Sequence, residues 1–337
     1  MPYRQLMPIE AARPEPSAPP EQIIQPPVEL DPATTEKSED FYLDTLEYPC
    51  FAMSFPFNLS NEVQNNAWMK DSDNAKPINF QKAYTQWLNL YQVLVSGGLV
   101  YLAPSTPGLQ DEVYIANMGM VIPDHIEPKT FILSNFRSQP REGEEDIGRD
   151  FFDLMQFHVL QTPAFWEGEA DLKFVHDNIF VGGWGIRTDP MAYKFIEMLA
   201  GVSIIPVHMT DEKLYHFDCM FFPVDKENAL VATEIMDSAD VKAIEKVVNI
   251  IPVEKDFAYQ GATNCVRVGN LILNASPIDE LKKDDDKYDL EQRRINWMEK
   301  TIGKLGQELV IVNLSEFEKS GAALSCNVMH LNYWDYK

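Results

Sequence analysis

A single α/β domain is what this sequence predicts. Helical and strand-like segments alternate from about Asp40 onward, and no long structureless break interrupts them. Hydrophobic residues make up 45% of the 337, enough for a sizeable core.

The elements follow in order. A helix over 80–95 places Ala83, Trp87, Leu90, Tyr91 and Leu94 on one face, and Gly97-Gly98 stops it. Val113-Tyr114-Ile115-Ala116 and Thr130-Phe131-Ile132-Leu133 read as short strands. Pro190 opens a helix that Asp189 caps. Its face is Ala192, Phe195, Ile196 and Leu199, and Gly201 ends it. Strands are expected over 203–207 and 217–224, then a helix from near Ser238 with Val241, Ile244, Val247 and Val248 inward. Leu271–Leu273 is a strand, 290–305 a charged helix, and Leu309–Val312 the last buried strand. Residues 1–38 carry Pro16, Pro19, Pro20, Pro26, Pro27 and Pro32 and little to bury, so a flexible tail precedes one domain over 39–337.

Composition narrows the function. Lys and Arg total 28 against 52 Asp and Glu, a formal charge of -24. That argues against nucleic-acid and anionic-membrane partners, which want a basic face. No apolar run reaches the roughly 18 residues of a membrane span, and no signal peptide is expected at the N-terminus. Cys50, Cys219, Cys265 and Cys326 form no CxxC pair, which disfavours a disulfide scaffold or zinc ribbon and fits a cytoplasmic setting. Neither GxGxxG nor GxxxxGK[ST] occurs, and the six histidines make no HExxH or HxH pair. No cofactor and no metal are expected, and homo-oligomerisation stays open.

Five polar clusters are hard to explain as core. They are Gly108 to Asn117, Trp166-Glu167-Gly168-Glu169-Ala170-Asp171, Gly185-Ile186-Arg187-Thr188-Asp189, Tyr215-His216-Phe217-Asp218, and Leu314 to Gly321 running into Cys326. If 217–224 is a strand, the period of two puts His216 and Asp218 on one face. A lone cysteine and a distant histidine are a candidate nucleophile and acid–base pair.

Taken in this order, the clusters resemble the guanidino-group-modifying superfamily of deiminases, dimethylarginine dimethylaminohydrolases, amidinotransferases and arginine dihydrolases. The resemblance covers roughly Phe51 to Leu331 and is nearest to the arginine dihydrolase type. It rests on Ile115-Ala116-Asn117, Asn66-Ala67-Trp68-Met69 and Leu314 to Ala323. It implies a five-bladed αβ-propeller (pentein) of repeated ββαβ units with its site at a central polar channel.

The resemblance also implies chemistry. A guanidinium carbon is a poor electrophile, so the site must hold the group flat, fix its charge with carboxylates and present a thiolate. A free thiol is only a few per cent thiolate at neutral pH. By resemblance Cys326 attacks, and His216 protonates the departing ammonia and then activates water. Glu167 and Asp218 hydrogen-bond the guanidinium nitrogens, with Asp171 a second candidate for that place. Arg187 grips the substrate carboxylate, and Arg141 is preferred to Arg137 as a second grip. Asn117, where deiminases carry an aspartate, points to the dihydrolase outcome, ornithine rather than citrulline. Three positions depart from the family pattern: Ala322 in place of glycine, Val328 in place of threonine, and Glu169 in place of a small residue. The expected function is hydrolysis of the guanidino group of a small arginine-like substrate. An amidinotransferase or an inactive arginine-binding protein is the alternative.

Overall fold

Residues 47–70 and 76–336 are described in the computed structural model. The expected tail over 1–38 lies outside the described residues.

One structural sentence is repeated five times: an antiparallel strand pair, a helix, and a third strand parallel to the second. The first blade holds β1 (Cys50–Ser54), α1 (Phe80–Gly97) and β2 (Leu99–Ala103). The second has β3 (Gly119–Ile122), β4 (Thr130–Leu133), α2 (Glu144–Leu154) and β5 (His158–Gln161). The third has β6 (Leu172–His176), β7 (Ile179–Trp184), α3 (Pro190–Ala200) and β8 (Ser203–His208). The fourth has β9 (Phe221–Pro223), β10 (Asn228–Val231), α4 (Ser238–Ile244) and β11 (Asn249–Pro252). After a short helix α5 (Lys255–Tyr259), the fifth has β12 (Cys265–Val268), β13 (Leu271–Ala275), α6 (Asp286–Gly303) and β14 (Glu308–Val312). A short α7 (Ser315–Glu318) leads to β15 (Met329–His330), which pairs antiparallel with β1 and so completes the first blade. The described residues thus form five three-stranded sheets, the pentein architecture the resemblance implied. A parallel crossover needs a covering helix, which explains the helix before each third strand.

Burial grades across each blade. The leading strands β3, β6, β9, β12 and β15 are buried almost throughout, whereas the third strands β2, β5 and β11 are largely half-exposed. The helices obey their sequence signals. Asn79 caps α1, its side chain accepting from the Lys82 amide, and Asp189 caps α3 through the Met191 amide.

Three expectations are corrected. Val113–Ala116 is no strand: Ile115–Asn117 forms a buried 3-10 turn that precedes β3. The stretch 217–224 opens with a 3-10 turn over Phe217–Cys219, and only Phe221–Pro223 is strand. His216 and Asp218 therefore do not share a strand face. Leu309–Val312 is not the last strand, because β15 follows it.

Candidate active site

Four blades deliver a polar side chain in the same way, on the short turn that leads into the buried leading strand. Asn117 ends the turn before β3, and Glu167 precedes the turn at Gly168–Ala170 before β6. His216 precedes the turn before β9, and Cys326 sits in the turn Ser325–Asn327 before β15. All four are buried, none more than 5% exposed. The turn at Gly168 requires glycine twice over. Its φ is +63°, and a Cβ there would lie 2.7 Å from the Ala116 carbonyl oxygen and the Gly119 amide nitrogen.

Glu167 is the electrostatic centre. Its Oε2 accepts from His216 Nε2 at 2.8 Å, and both oxygens accept from Arg187 Nη1 at 3.0 and 3.1 Å. Burial alone would raise its pKa; Arg187, then His216, more than offset this and hold it well below the usual carboxylate range. Asn117 Nδ2 lies 3.2 Å from His216 Nε2. Asp171 stands behind the histidine. Its Oδ1 accepts from the Phe217 amide at 3.1 Å and its Oδ2 from the Thr188 hydroxyl at 2.6 Å. Oδ1 thus holds the turn that carries His216, and Oδ2 holds Thr188 beside Arg187.

Around the nucleophile the field is negative. Asp218 Oδ2 lies 3.8 Å from Cys326 Sγ and also bonds the Ser325 hydroxyl. Burial first, and then the Asp218 charge, push the Cys326 thiol up to about 12. The raised thiol pKa favours the protonated form, and a cation beside it would favour the thiolate.

Two clefts meet at this pair. The smaller encloses about 290 Å³ and is lined by Asn65, Asp111, Asn117, Arg141, Arg187 and Tyr215, among others. The larger encloses about 1830 Å³ and lies toward Trp68, Tyr259, Asn264 and Glu318. His216, Tyr215, Ala322 and Cys326 line both. Neither cleft is lined by Glu167, Asp171 or Asp218. In the resting protein Glu167 holds the guanidinium of Arg187, the group expected to bind the substrate carboxylate, and Arg187 Nη2 donates to the Asn65 carbonyl at 2.8 Å. Arg141 reaches the smaller cleft, but its Nε and Nη2 are committed to Glu144 and to the Asp111 and Tyr114 carbonyls. Arg137 is exposed, with its guanidinium 4.7 Å from the centre of the Phe165 ring.

The departures find packing roles. Glu169 bonds the His330 ring and accepts from the His330 amide at 2.9 Å, tying the second cluster to β15. Ala322 and Val328 are buried in the apolar cluster that also holds Cys326. Asp111 and Tyr215 belong to the first and fourth polar clusters, but neither has a motif that marks it as a site residue. Asp111 lines the smaller cleft, held by Asn65 Nδ2 at 2.7 Å, and burial raises its carboxyl above the usual range. The Tyr215 ring lies 4.6 Å from the His216 ring at a 49° tilt, underlies Arg187 at 4.9 Å, and its hydroxyl donates to the Gly321 carbonyl at 2.8 Å.

Comparisons with known proteins bear on the family and the fold. The profile of the family described as N,N dimethylarginine dimethylhydrolase, eukaryotic, matches residues 52–332. A Caenorhabditis elegans protein, ZK1307.1, is 26% identical over 280 residues, covering 82% of this chain and 91% of that one. The bifunctional arginine dihydrolase/ornithine cyclodeaminase AgrE of Nostoc is 25% identical over 282 residues, 82% of this chain. This chain spans 37% of that bifunctional protein's length. The crystal structure of the N-terminal domain of the Synechocystis protein ArgZ, covalently bound to a reaction intermediate, superposes with a TM-score of 0.74 at 22% identity, over 84% of this chain and 98% of that one. At that identity the likeness speaks to the fold.

Proposed function

We propose, from the premise that the chain belongs to the eukaryotic N,N-dimethylarginine dimethylhydrolase family, that it hydrolyses the guanidino group of arginine or a close derivative through a covalent Cys326 intermediate. The observation that carries the reading is the meeting of Cys326 and His216 at a cleft walled by Arg187 and Asp111. An arginine-like substrate places its carboxylate toward Arg187 and its ammonium toward Asp111, so the guanidinium reaches the thiol. Its positive charge offsets Asp218, lowers the thiol pKa and supplies the thiolate. Sγ bonds to the guanidino carbon, and His216, held by Glu167 in the orientation a proton donor needs, protonates the departing nitrogen. Water then adds to the carbon and His216 takes one of its protons. The C–S bond breaks with its electron pair returning to Sγ, and the remaining O–H proton passes to the sulfur as the carbonyl of the product forms. Asp218 and Glu167 act as charge-setting groups behind the thiol and the imidazole, and Asp171 as the support of the His216 turn.

Asn117 favours passage beyond citrulline to ornithine, because an amide contacts the bound group without adding charge. The free thiol suits a reducing, cytoplasmic setting. Incubation with arginine and with ω-N-methylated arginine, following citrulline, ornithine, ammonia and methylamines by mass spectrometry, tests the reading. A folded protein that turns over neither substrate sinks it.

A further inference from the structure

Four of the five blades place a reactive or contacting side chain on the turn before the leading strand: Asn117, Glu167, His216 and Cys326. The fifth blade has a hydrogen-bonded turn at the corresponding place, the Asn264 amide donating to the Gly261 carbonyl at 3.0 Å, and Asn264 immediately precedes β12, which begins at Cys265. Asn264 is 1% exposed and lines the larger cleft together with His216 and Cys326. Its Oδ1 accepts from the Ser325 amide at 2.7 Å, one residue before the nucleophile. Its Nδ2 has no hydrogen-bond partner among the described residues. A buried amide donor without a partner is unfavourable, a cost that a purely supporting asparagine need not carry.

The residue is held in place from behind. Asn274 Nδ2 donates to the Asn264 carbonyl at 3.2 Å and to the Gly261 carbonyl at 2.8 Å. The fully buried Arg294 in turn bonds Asn274 Oδ1, donates to the Ala275 carbonyl at 2.9 Å and pairs with Glu291. Oδ1 and the backbone carbonyl of Asn264 are thus fixed, and the free Nδ2 donor is held beside the nucleophile turn.

Resting on the reading above, we propose that Asn264 is the fifth member of the catalytic ring and serves the hydrolytic half-reaction, its Nδ2–H donating to the oxygen that adds to the amidino carbon. In that step water forms a C–O bond to the carbon bound to Sγ, and His216 takes one water proton. The C–N π pair moves to nitrogen, and the oxygen is left as a hydroxyl. The C–S bond then breaks with its electron pair returning to Sγ, the hydroxyl proton passes to that thiolate as the C=O bond forms, and His216 keeps the first proton. Nδ2–H stabilises the partial negative charge that builds on the oxygen as it becomes the carbonyl.

The test separates the two half-reactions. Asn264→Asp keeps an acceptor for the Ser325 amide and loses the donor. Asn264→Ala removes both without adding charge. Intact-mass spectrometry after rapid mixing with arginine or ω-N-methylarginine follows growth and decay of the covalent adduct. A cationic haloacetamidine reads the resting thiol. For Asn264→Asp, an adduct that decays about a hundredfold more slowly is expected, a larger change than any shift in alkylation that the added carboxylate causes. Asn264→Ala should show the same slow decay whatever its alkylation rate. Decay within twofold of wild type in either folded variant overturns the proposal. So does a loss of adduct formation that matches the loss of decay, since that marks loop support alone. A wild type that forms no adduct and turns over neither compound removes the hydrolase reading itself, and this inference with it.

Discussion

The thiol of Cys326 is high because it is buried beside Asp218, and that sets its reactivity. A neutral alkylating agent should react with the resting protein at a rate that rises about tenfold per pH unit through pH 10, since the thiol sits near 12. A cationic haloacetamidine should react faster at pH 8, because its charge offsets Asp218. A plateau near pH 8.5 for the neutral reagent would count against this account. Asn117 invites a second substitution. Asn117→Asp adds a carboxylate next to His216 and should shift the product mixture from ornithine toward citrulline, read by mass spectrometry of the products. Arg187 supplies a third prediction. In the resting protein its guanidinium already lies on Glu167, so a substrate has to give Arg187 something else to hold. Agmatine has no carboxylate, and its kcat/KM should fall at least about a hundredfold below that of arginine, the scale on which a site built around a polar contact rejects a molecule lacking it.

At the level of elements, Glu169 shows how a site departure can be structural. It joins the turn before β6 to β15 through His330. Glu169→Ala would leave that contact broken in a buried place and should cost about 3–5 kcal/mol, seen as a lowered denaturation midpoint. Burial works against the charged carboxylate, but His330 and Lys173 hold its pKa below the ordinary value. A depressed native pKa gives stability that is present above the unfolded value and lost as pH falls through the native one, so the wild-type advantage over Glu169→Gln should shrink in acid. The elements also show what could be read from sequence. The helices at Phe80 and Pro190 were legible because caps, apolar spacing and stopping glycines agree. The turns at Ile115–Asn117 and Phe217–Cys219 were not, because a buried 3-10 turn needs the same apolar residues as a short strand. The meeting of Cys326 and His216 at one cleft could be expected because clusters far apart in sequence kept the family order. The commitments of Arg187, Arg141 and Asp171 could not, since they depend on partners that only the folded blades bring near. Asn264 lacked a motif of its own, and only the repeat of the blade draws notice to it.

Across the whole molecule, the ring is completed by its own chain end. The Phe51–His330 and Ala52–Met329 pairings join β1 to β15, and β15 is the leading strand of the first blade. Removing residues from Met329 onward leaves Cys326 in the chain but strips β1 of that partner. Such a truncation should lose hydrolysis altogether and expose β1 amides to hydrogen exchange, measured on the purified fragment; retained turnover would contradict the role given to closure.

This arrangement also has a meaning for how the protein is made. Translation delivers Asn117, Glu167, His216 and Asn264 well before Cys326, and the strand that seats the cysteine emerges after all of them. A chain still on the ribosome can fold several blades and acquire an arginine-sized cleft, but it has no seated nucleophile. On the role proposed for Cys326, incomplete products of synthesis should be inert toward guanidino compounds, and reactivity should begin when β15 closes the first blade.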